Sequence, residues 1–187
     1  GVYKGQCYGH EGRFVWKKEF EAQPIKYGVG EGSSPALFEN TLVIPVDTEG
    51  QSYVVAIDKR TGEKIWKQDR VEESNWSTPS IFTHAGRRQV VLNGEKVRSY
   101  DLATGELLWE CGEQSVGAIP MPAVGHGLVF AASGFRKDTL DAIELGQRGD
   151  LTGGEHLVWS LTRGAPYVPC PMLWGDELYL LEDQSFF

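Results

Sequence analysis

The segment Ala56-Ile57-Asp58-Lys59-Arg60-Thr61-Gly62-Glu63-Lys64-Ile65-Trp66 returns 43 residues later as Ser99-Tyr100-Asp101-Leu102-Ala103-Thr104-Gly105-Glu106-Leu107-Leu108-Trp109. Asp, Thr, Gly, Glu and Trp keep their places, so the chain is built from a repeated unit. Repeats of roughly 40 to 50 residues with short strands and one Trp each belong to propellers and related arrays. Two series extend the repeat over most of the chain. The tryptophans Trp16, Trp66, Trp109 and Trp159 lie 50, 43 and 50 residues apart, and the prolines Pro35, Pro79, Pro122 and Pro171 lie 44, 43 and 49 apart.

Each unit reads as four short strands. Proline is tolerated at the head of a strand, where its missing donor faces no partner. A tight turn follows at Glu39-Asn40, Ala85-Gly86, Gly125-His126-Gly127 and Gly175-Asp176, and then a second strand of Val, Ile and Leu. Branched residues such as Val54-Val55-Ala56-Ile57 and Val90-Val91-Leu92 suit a packed, pleated surface. The third strand ends near Asp58 or Asp101. In the turn after it, Asp and Thr oxygens accept backbone donors and Gly62 or Gly105 takes the left-handed position. The fourth strand ends at the Trp, whose apolar area of roughly 150–250 Å² is large enough to fasten one unit to the next. No sustained 3.6-residue apolar spacing appears, so almost no helix is expected.

The expected fold is all-β, a propeller of four-stranded antiparallel blades with about four blades' worth of strands. As a single module over 1–187 it divides into a second half-blade (1–22), a blade (23–70), a blade (71–113), a blade with an inserted loop (114–162) and a first half-blade (163–187). The insert follows from spacing: Ala142 precedes Trp159 by 17 residues, whereas Ala56 precedes Trp66 by 10. The seven extra residues, within 145–154, are expected to lengthen a surface turn, where loop closure costs little. The two half-units leave three arrangements: they complete one blade of a small ring, two chains form a larger ring as a homodimer, or the chain is a piece of a longer propeller. Bare sheet edges invite pairing, so an isolated chain with both ends open is the least expected state; the last two arrangements are favoured on the family resemblance given below.

Composition limits function. A net charge of −8 and the scattered basic pairs Lys17-Lys18, Lys59-Arg60 and Arg87-Arg88 argue against nucleic acid. No apolar run approaches the roughly 20 residues that span a bilayer. Cys7, Cys111 and Cys170 are odd in number and far apart, and His10, His84, His126 and His156 share no ligand spacing, so neither a disulfide framework nor a metal site is expected. The Gly-rich stretch Tyr27-Gly28-Val29-Gly30-Glu31-Gly32 lacks the Lys-Ser/Thr ending of a phosphate loop and reads as a sharp connection.

Ala56-x-Asp58-x-x-Thr61-Gly62-x-x-x-Trp66 and its copy resemble the pyrroloquinoline-quinone-type repeat family, the tryptophan-docking propellers of quinoprotein alcohol dehydrogenases and of the outer-membrane assembly lipoprotein. The segments 76–79, 100–106 and 163–169 are similar to uncharacterised bacterial quinone-like repeat proteins. The resemblance implies Asp58, Thr61, Gly62, Trp66, Asp101, Thr104, Gly105, Trp109, Trp16 and Trp159 as structural repeat residues, and rings of seven or eight blades. It also implies an exported bacterial protein, periplasmic or otherwise extracytoplasmic. The enzymes of the family hold the quinone over Ca²⁺ with an Asp base and a vicinal cysteine pair. This chain has no Cys-Cys, and no quinone or calcium ligand carries over. The expected function is a non-catalytic binding or scaffold module for a protein or polymer partner, with no cofactor. The alternative is part of a quinoprotein dehydrogenase using the quinone with calcium. Loops entering the Pro-led strands carry Tyr27, Glu31, Trp76, Gln114, Arg163 and Tyr167, a mixed aromatic and polar set suited to a contact face.

Overall fold

The computed structural model describes residues 2–21 and 24–183. The boundary expected at 22 and 23, together with residues 1 and 184–187, lies outside the described residues. Strands β1 (Val2–Tyr8) and β2 (Phe14–Glu21) form a two-stranded antiparallel sheet. Three larger sheets follow in chain order. The first contains β3 (Ala36–Phe38), β4 (Thr41–Val46), β5 (Ser52–Asp58) and β6 (Lys64–Arg70). The second contains β7 (Ser80–His84), β8 (Arg87–Leu92), β9 (Val97–Asp101) and β10 (Leu107–Cys111). The third contains β11 (Ala123–Gly125), β12 (Leu128–Ser133), β13 (Thr139–Glu144) and, after the two-residue β14 (Gly149–Asp150), β15 (Leu157–Leu161). A last pair, β16 (Met172–Trp174) and β17 (Glu177–Tyr179), closes the order. Among the described residues the one helical stretch is a 3-10 turn at Lys26–Gly28.

Each Pro-led strand begins directly after its proline, and β3, β7, β11 and β16 succeed one another along the inner rim. The outer edges of the two short sheets, β1 and β17, pair with no other described strand, and the sheets do not close into a ring. This is about four blades of an all-β propeller.

The apolar interior lies in layers between successive sheets. Along β5, Tyr53, Val55 and Ile57 pack against Trp16 and Phe20, while Val54 and Ala56 pack with Trp66 against Val90, Leu92 and Tyr100 of the next sheet. Successive residues of a strand point to opposite faces, so a strand buried on both sides needs an unbroken apolar run. That explains why β5 reads as continuous Val and Ala rather than alternating.

The Asp-x-x-Thr-Gly turn forms as its chemistry dictates. Asp58 Oδ1 accepts from the backbone of Arg60 at 2.7 Å and of Thr61 at 3.3 Å, Thr61 Oγ1 accepts from Glu63, and Gly62 has φ 73°. Asp101, Thr104 and Gly105 repeat the arrangement. The Trp16 indole lies over Gly62 and donates from Nε1 to the Lys59 carbonyl at 2.8 Å; Trp66 does the same over Gly105 and the Leu102 carbonyl at 2.9 Å. Trp109 is 1% exposed, but its Nε1 has no hydrogen-bond partner among the described residues, because the following sheet carries no Asp-x-x-Thr-Gly turn. Trp159 is 38% exposed and rests against Phe130.

The insert departs from its expected role as a surface turn. Its residues Gly149 and Asp150 add β14, parallel, to the outer edge of β10, and Leu151 is buried beside Trp109. Leu151 donates its backbone N–H to the Glu110 carbonyl, and Thr152 Oγ1 accepts from Gly112 N at 2.9 Å. A single apolar residue within a polar stretch supplies the anchor.

Candidate functional site

In an up-and-down four-stranded blade, the connection from strand two to strand three and the crossover to the next blade emerge on the same end. Both kinds of connection meet here around a cleft of about 430 Å³. Tyr27, Val29 and Gly32 come from the connection before β3, Trp76 from that before β7, Val116, Gly117 and Ile119 from that before β11, and Tyr167 from that before β16. Phe135 comes from the loop between β12 and β13.

The aromatic side chains hold one another. Phe135 stacks on Tyr167 at 5.8 Å between ring centroids and meets Tyr27 edge-on at 6.5 Å. The Arg136 guanidinium lies over the Phe135 ring at 5.5 Å. Tyr27 is 67% exposed and has φ 61°, a left-handed conformation that a bulky residue adopts only when its surroundings impose it. Trp76 is fixed at both ends: its indole N–H donates to the Gly30 carbonyl at 2.9 Å and its backbone N–H to the Ala118 carbonyl at 2.8 Å. Burial raises the Tyr167 phenol above its ordinary pKa, so the hydroxyl stays neutral. Lys26 at the margin is ion-paired with Glu73, and that hydrogen bond raises its ammonium pKa. The lining thus offers ring faces, aliphatic surface and a few neutral donors, a combination that buries an apolar or aromatic group.

Beneath this face lies a buried polar lattice. Arg70 and Asp47 form a two-pronged ion pair at 2.8 and 3.0 Å, with Tyr100 and the Asn93 carbonyl as further partners of the guanidinium. Asn75 donates to Asp47 and Glu72 and accepts from Ala118 N. Since Ala118 also receives the Trp76 backbone, the lattice sets the floor on which the aromatic residues stand.

Of the side chains expected on a contact face, Tyr27, Trp76 and Tyr167 converge on the cleft. Glu31 lines a neighbouring recess with Trp16 and Phe20. Gln114 is 8% exposed and hydrogen-bonds Asp141 and Ser133, away from the cleft lining, and Arg163 is exposed outside it. Phe135 escapes the sequence pattern, because it stands on a loop inside a blade and not on a connection into a Pro-led strand. The shared end of the two loop types is the signal that finds it. Among the described residues no three His, Cys, Asp or Glu side chains converge to hold a metal ion. None of the residues lining the cleft carries a carboxylate or amide side chain of the kind that would hold calcium beneath a quinone.

A family model described as outer membrane protein assembly factor BamB matches residues 6–185. No curated protein sequence matches the chain. Among solved structures, BamB from Moraxella catarrhalis superposes with a TM-score of 0.60 at 15% identity, covering 95% of this chain and 48% of that one. Quinohemoprotein alcohol dehydrogenase from Comamonas testosteroni gives 0.54 at 20% identity, covering 71% and 21%. The computationally designed Ika4 protein gives 0.52 at 16% identity, covering 85% and 89%. The chain spans about half the length of the BamB structure it matches. Likeness at these identities speaks for the fold, and the match of the family model along nearly the whole sequence speaks for descent: the chain belongs to the BamB family of outer membrane protein assembly factors.

Proposed function

We propose that this chain is a non-catalytic propeller module of an exported bacterial protein, which seats an apolar or aromatic segment of a partner protein in the cleft of Tyr27, Trp76, Phe135 and Tyr167. The observation that carries the reading is Tyr27 itself. A tyrosine held in the left-handed region and two-thirds exposed, beside a stacked aromatic pair that it meets edge-on, carries strain that this one ring contact offsets only in part. Exposed aromatic rings on a fixed frame are the anchors that dominate protein contacts. The family description, an assembly factor of the outer membrane, supports an extracytoplasmic scaffold role.

The test is a selection of phage-displayed random peptides on the purified chain. Peptides rich in aromatic or aliphatic residues should be enriched, and Tyr27→Ala or Tyr167→Ala should weaken them about ten-fold or more, the loss typical of a central anchor. Enrichment insensitive to both substitutions overturns the location. The quinoprotein alternative is tested by titrating pyrroloquinoline quinone with Ca²⁺: a saturable absorbance change overturns the non-catalytic reading.

A further inference from the structure

The internal repeat permits one position of the blade to be compared three times. Trp66, Trp109 and Trp159 stand opposite Ala56, Ser99 and Ala142, which aligns the three large sheets residue by residue. One step before those partners, the cross-strand pairs are Val55 with Lys67, Arg98 with Glu110, and Asp141 with Ser160. Two residues earlier on the same face come Tyr53, Lys96 and Thr139.

In the first sheet this slot is filled by the Tyr53 ring with Lys67 over it at 4.1 Å. In the second it is filled by charge: Arg98 is bound by Glu72 and Glu110, and the Lys96 ammonium reaches Glu110 at 2.5 Å and Asp150 at 3.1 Å. In the third the long side chains are gone. Thr139, Asp141, Ser160 and Thr162 instead line an open pocket of about 210 Å³. Gly112, Glu113 and the insert residues Thr152 and Gly153 wall its other side, and Lys137 lies at its rim with Nζ on the Glu113 carbonyl.

Two features show what the pocket lacks. Asp141 is 3% exposed, and among the described residues its carboxylate is hydrogen-bonded by the neutral groups of Gln114, at 2.5 Å, and Ser160. Burial raises the Asp141 carboxyl pKa, opposed by the Ser160 hydrogen bond, the charge of Lys137 at the rim and the Gln114 hydrogen bond. Thr139 is also 3% exposed, and its Oγ1 has no hydrogen-bond partner among the described residues. A buried carboxylate and an idle hydroxyl thus stand at the two positions that Arg98 and Lys96, both cations, hold in the neighbouring blade. Besides Asp141, Glu113 is the pocket's one other carboxylate, which with Lys137 at the rim is poor equipment for a divalent cation.

We propose that this pocket binds a primary ammonium group on a short aliphatic chain, held by the Asp141 carboxylate with the Thr139 and Ser160 hydroxyl oxygens as further acceptors. The group takes the place that the Lys96 ammonium fills in the preceding blade, and Leu157 supplies apolar surface for its methylenes. The site is separate from the aromatic cleft and does not depend on it. A free amine and a lysine side chain of a partner protein share this chemistry.

The experiment titrates the purified chain with n-butylammonium chloride at constant ionic strength, read by calorimetry and by amide chemical shifts. Saturable binding is expected with shifts centred on Thr139, Asp141 and Ser160. Asp141→Asn should weaken it at least ten-fold, Thr139→Val several-fold, and Thr139→Lys, which installs the second blade's own solution, should abolish it. Circular dichroism confirms that each variant is folded, and Thr139→Val keeps the test open if Asp141→Asn does not fold. Parallel titrations with 1,4-diaminobutane and with Nα-acetyl-lysine methylamide separate the two sources by which binds more tightly. No saturable binding, binding unchanged in the folded variants, or equal binding of sorbitol or potassium ion overturns the proposal.

Discussion

The six-membered ring of Trp66 lies so close to Gly105 that a Cβ on that glycine would stand 2.7 Å from it. Gly105 also has φ 76°, so two separate constraints fall on one residue. Gly105→Ala should cost about 2–4 kcal/mol, combining overpacking with left-handed strain. Gly86→Ala has the same kind of backbone, φ 78°, but no described residue comes within 4 Å of the added carbon, and it should cost only about 1–2 kcal/mol. Urea midpoints of the two variants separate packing from backbone strain.

Trp66 is buried, with its N–H bonded to Leu102, whereas Trp159 is 38% exposed. Trp66→Ala should cost about 3–5 kcal/mol and Trp159→Ala under about 2, since truncation leaves a cavity at the first and mostly solvent at the second. Equal costs in chemical denaturation would show that the two indoles bear on stability alike.

Removing one partner of the Asp47–Arg70 pair leaves a bare charge where neither side chain meets water. Arg70→Met should cost about 3–5 kcal/mol, and the double variant Arg70→Met/Asp47→Leu should recover much of it. A double-mutant cycle measures the coupling.

Asp150 ties the insert to the preceding blade. Hydrogen bonds from the Thr152 hydroxyl and backbone, then from Lys96, hold its carboxyl at about 2, below the ordinary 3.8. A carboxylate depressed on folding contributes stability that is complete above its unfolded value and lost as pH falls through its folded one. The advantage of the parent chain over Asp150→Asn should therefore be constant above about pH 5, shrink as pH falls through about 4 to 2, and vanish by about pH 1. Urea midpoints across that range test it.

Leu151 is the apolar anchor of the same insert, 4% exposed against Trp109. Leu151→Ala should cost about 2–4 kcal/mol. It should also speed amide exchange at the residues of β14 and at Leu151, whose donors close onto β10, before exchange rises elsewhere in the sheet.

The repeat is plain in the letters because its residues obey local rules: Asp and Thr accept, Gly turns left, Pro opens a strand, and each rule operates within a few residues. The cleft is half legible. Tyr27, Trp76 and Tyr167 stand in connections that the repeat aligns, but Phe135 is brought to them by parity of strand direction, a property of the whole blade. Gln114 reads as a surface residue within a polar connection, yet Asp141, distant in sequence, draws it inward. The docking of β14 is hidden by composition, since Leu151 alone marks it among glycines and polar residues. The pocket at Thr139 is legible only by comparison, because short polar residues announce a space only beside the tyrosine, lysine and arginine that fill the same slot elsewhere.

Trp16 over Gly62 and Trp66 over Gly105 are donor and seat on different faces of the same kind of unit, so the joint is directional, and the first two large sheets each carry both a seat and a tryptophan. A contact of that kind has no means of counting. The number of members in such an assembly is set by the angle between adjacent sheets, and whole units can be added or removed without inventing a new contact.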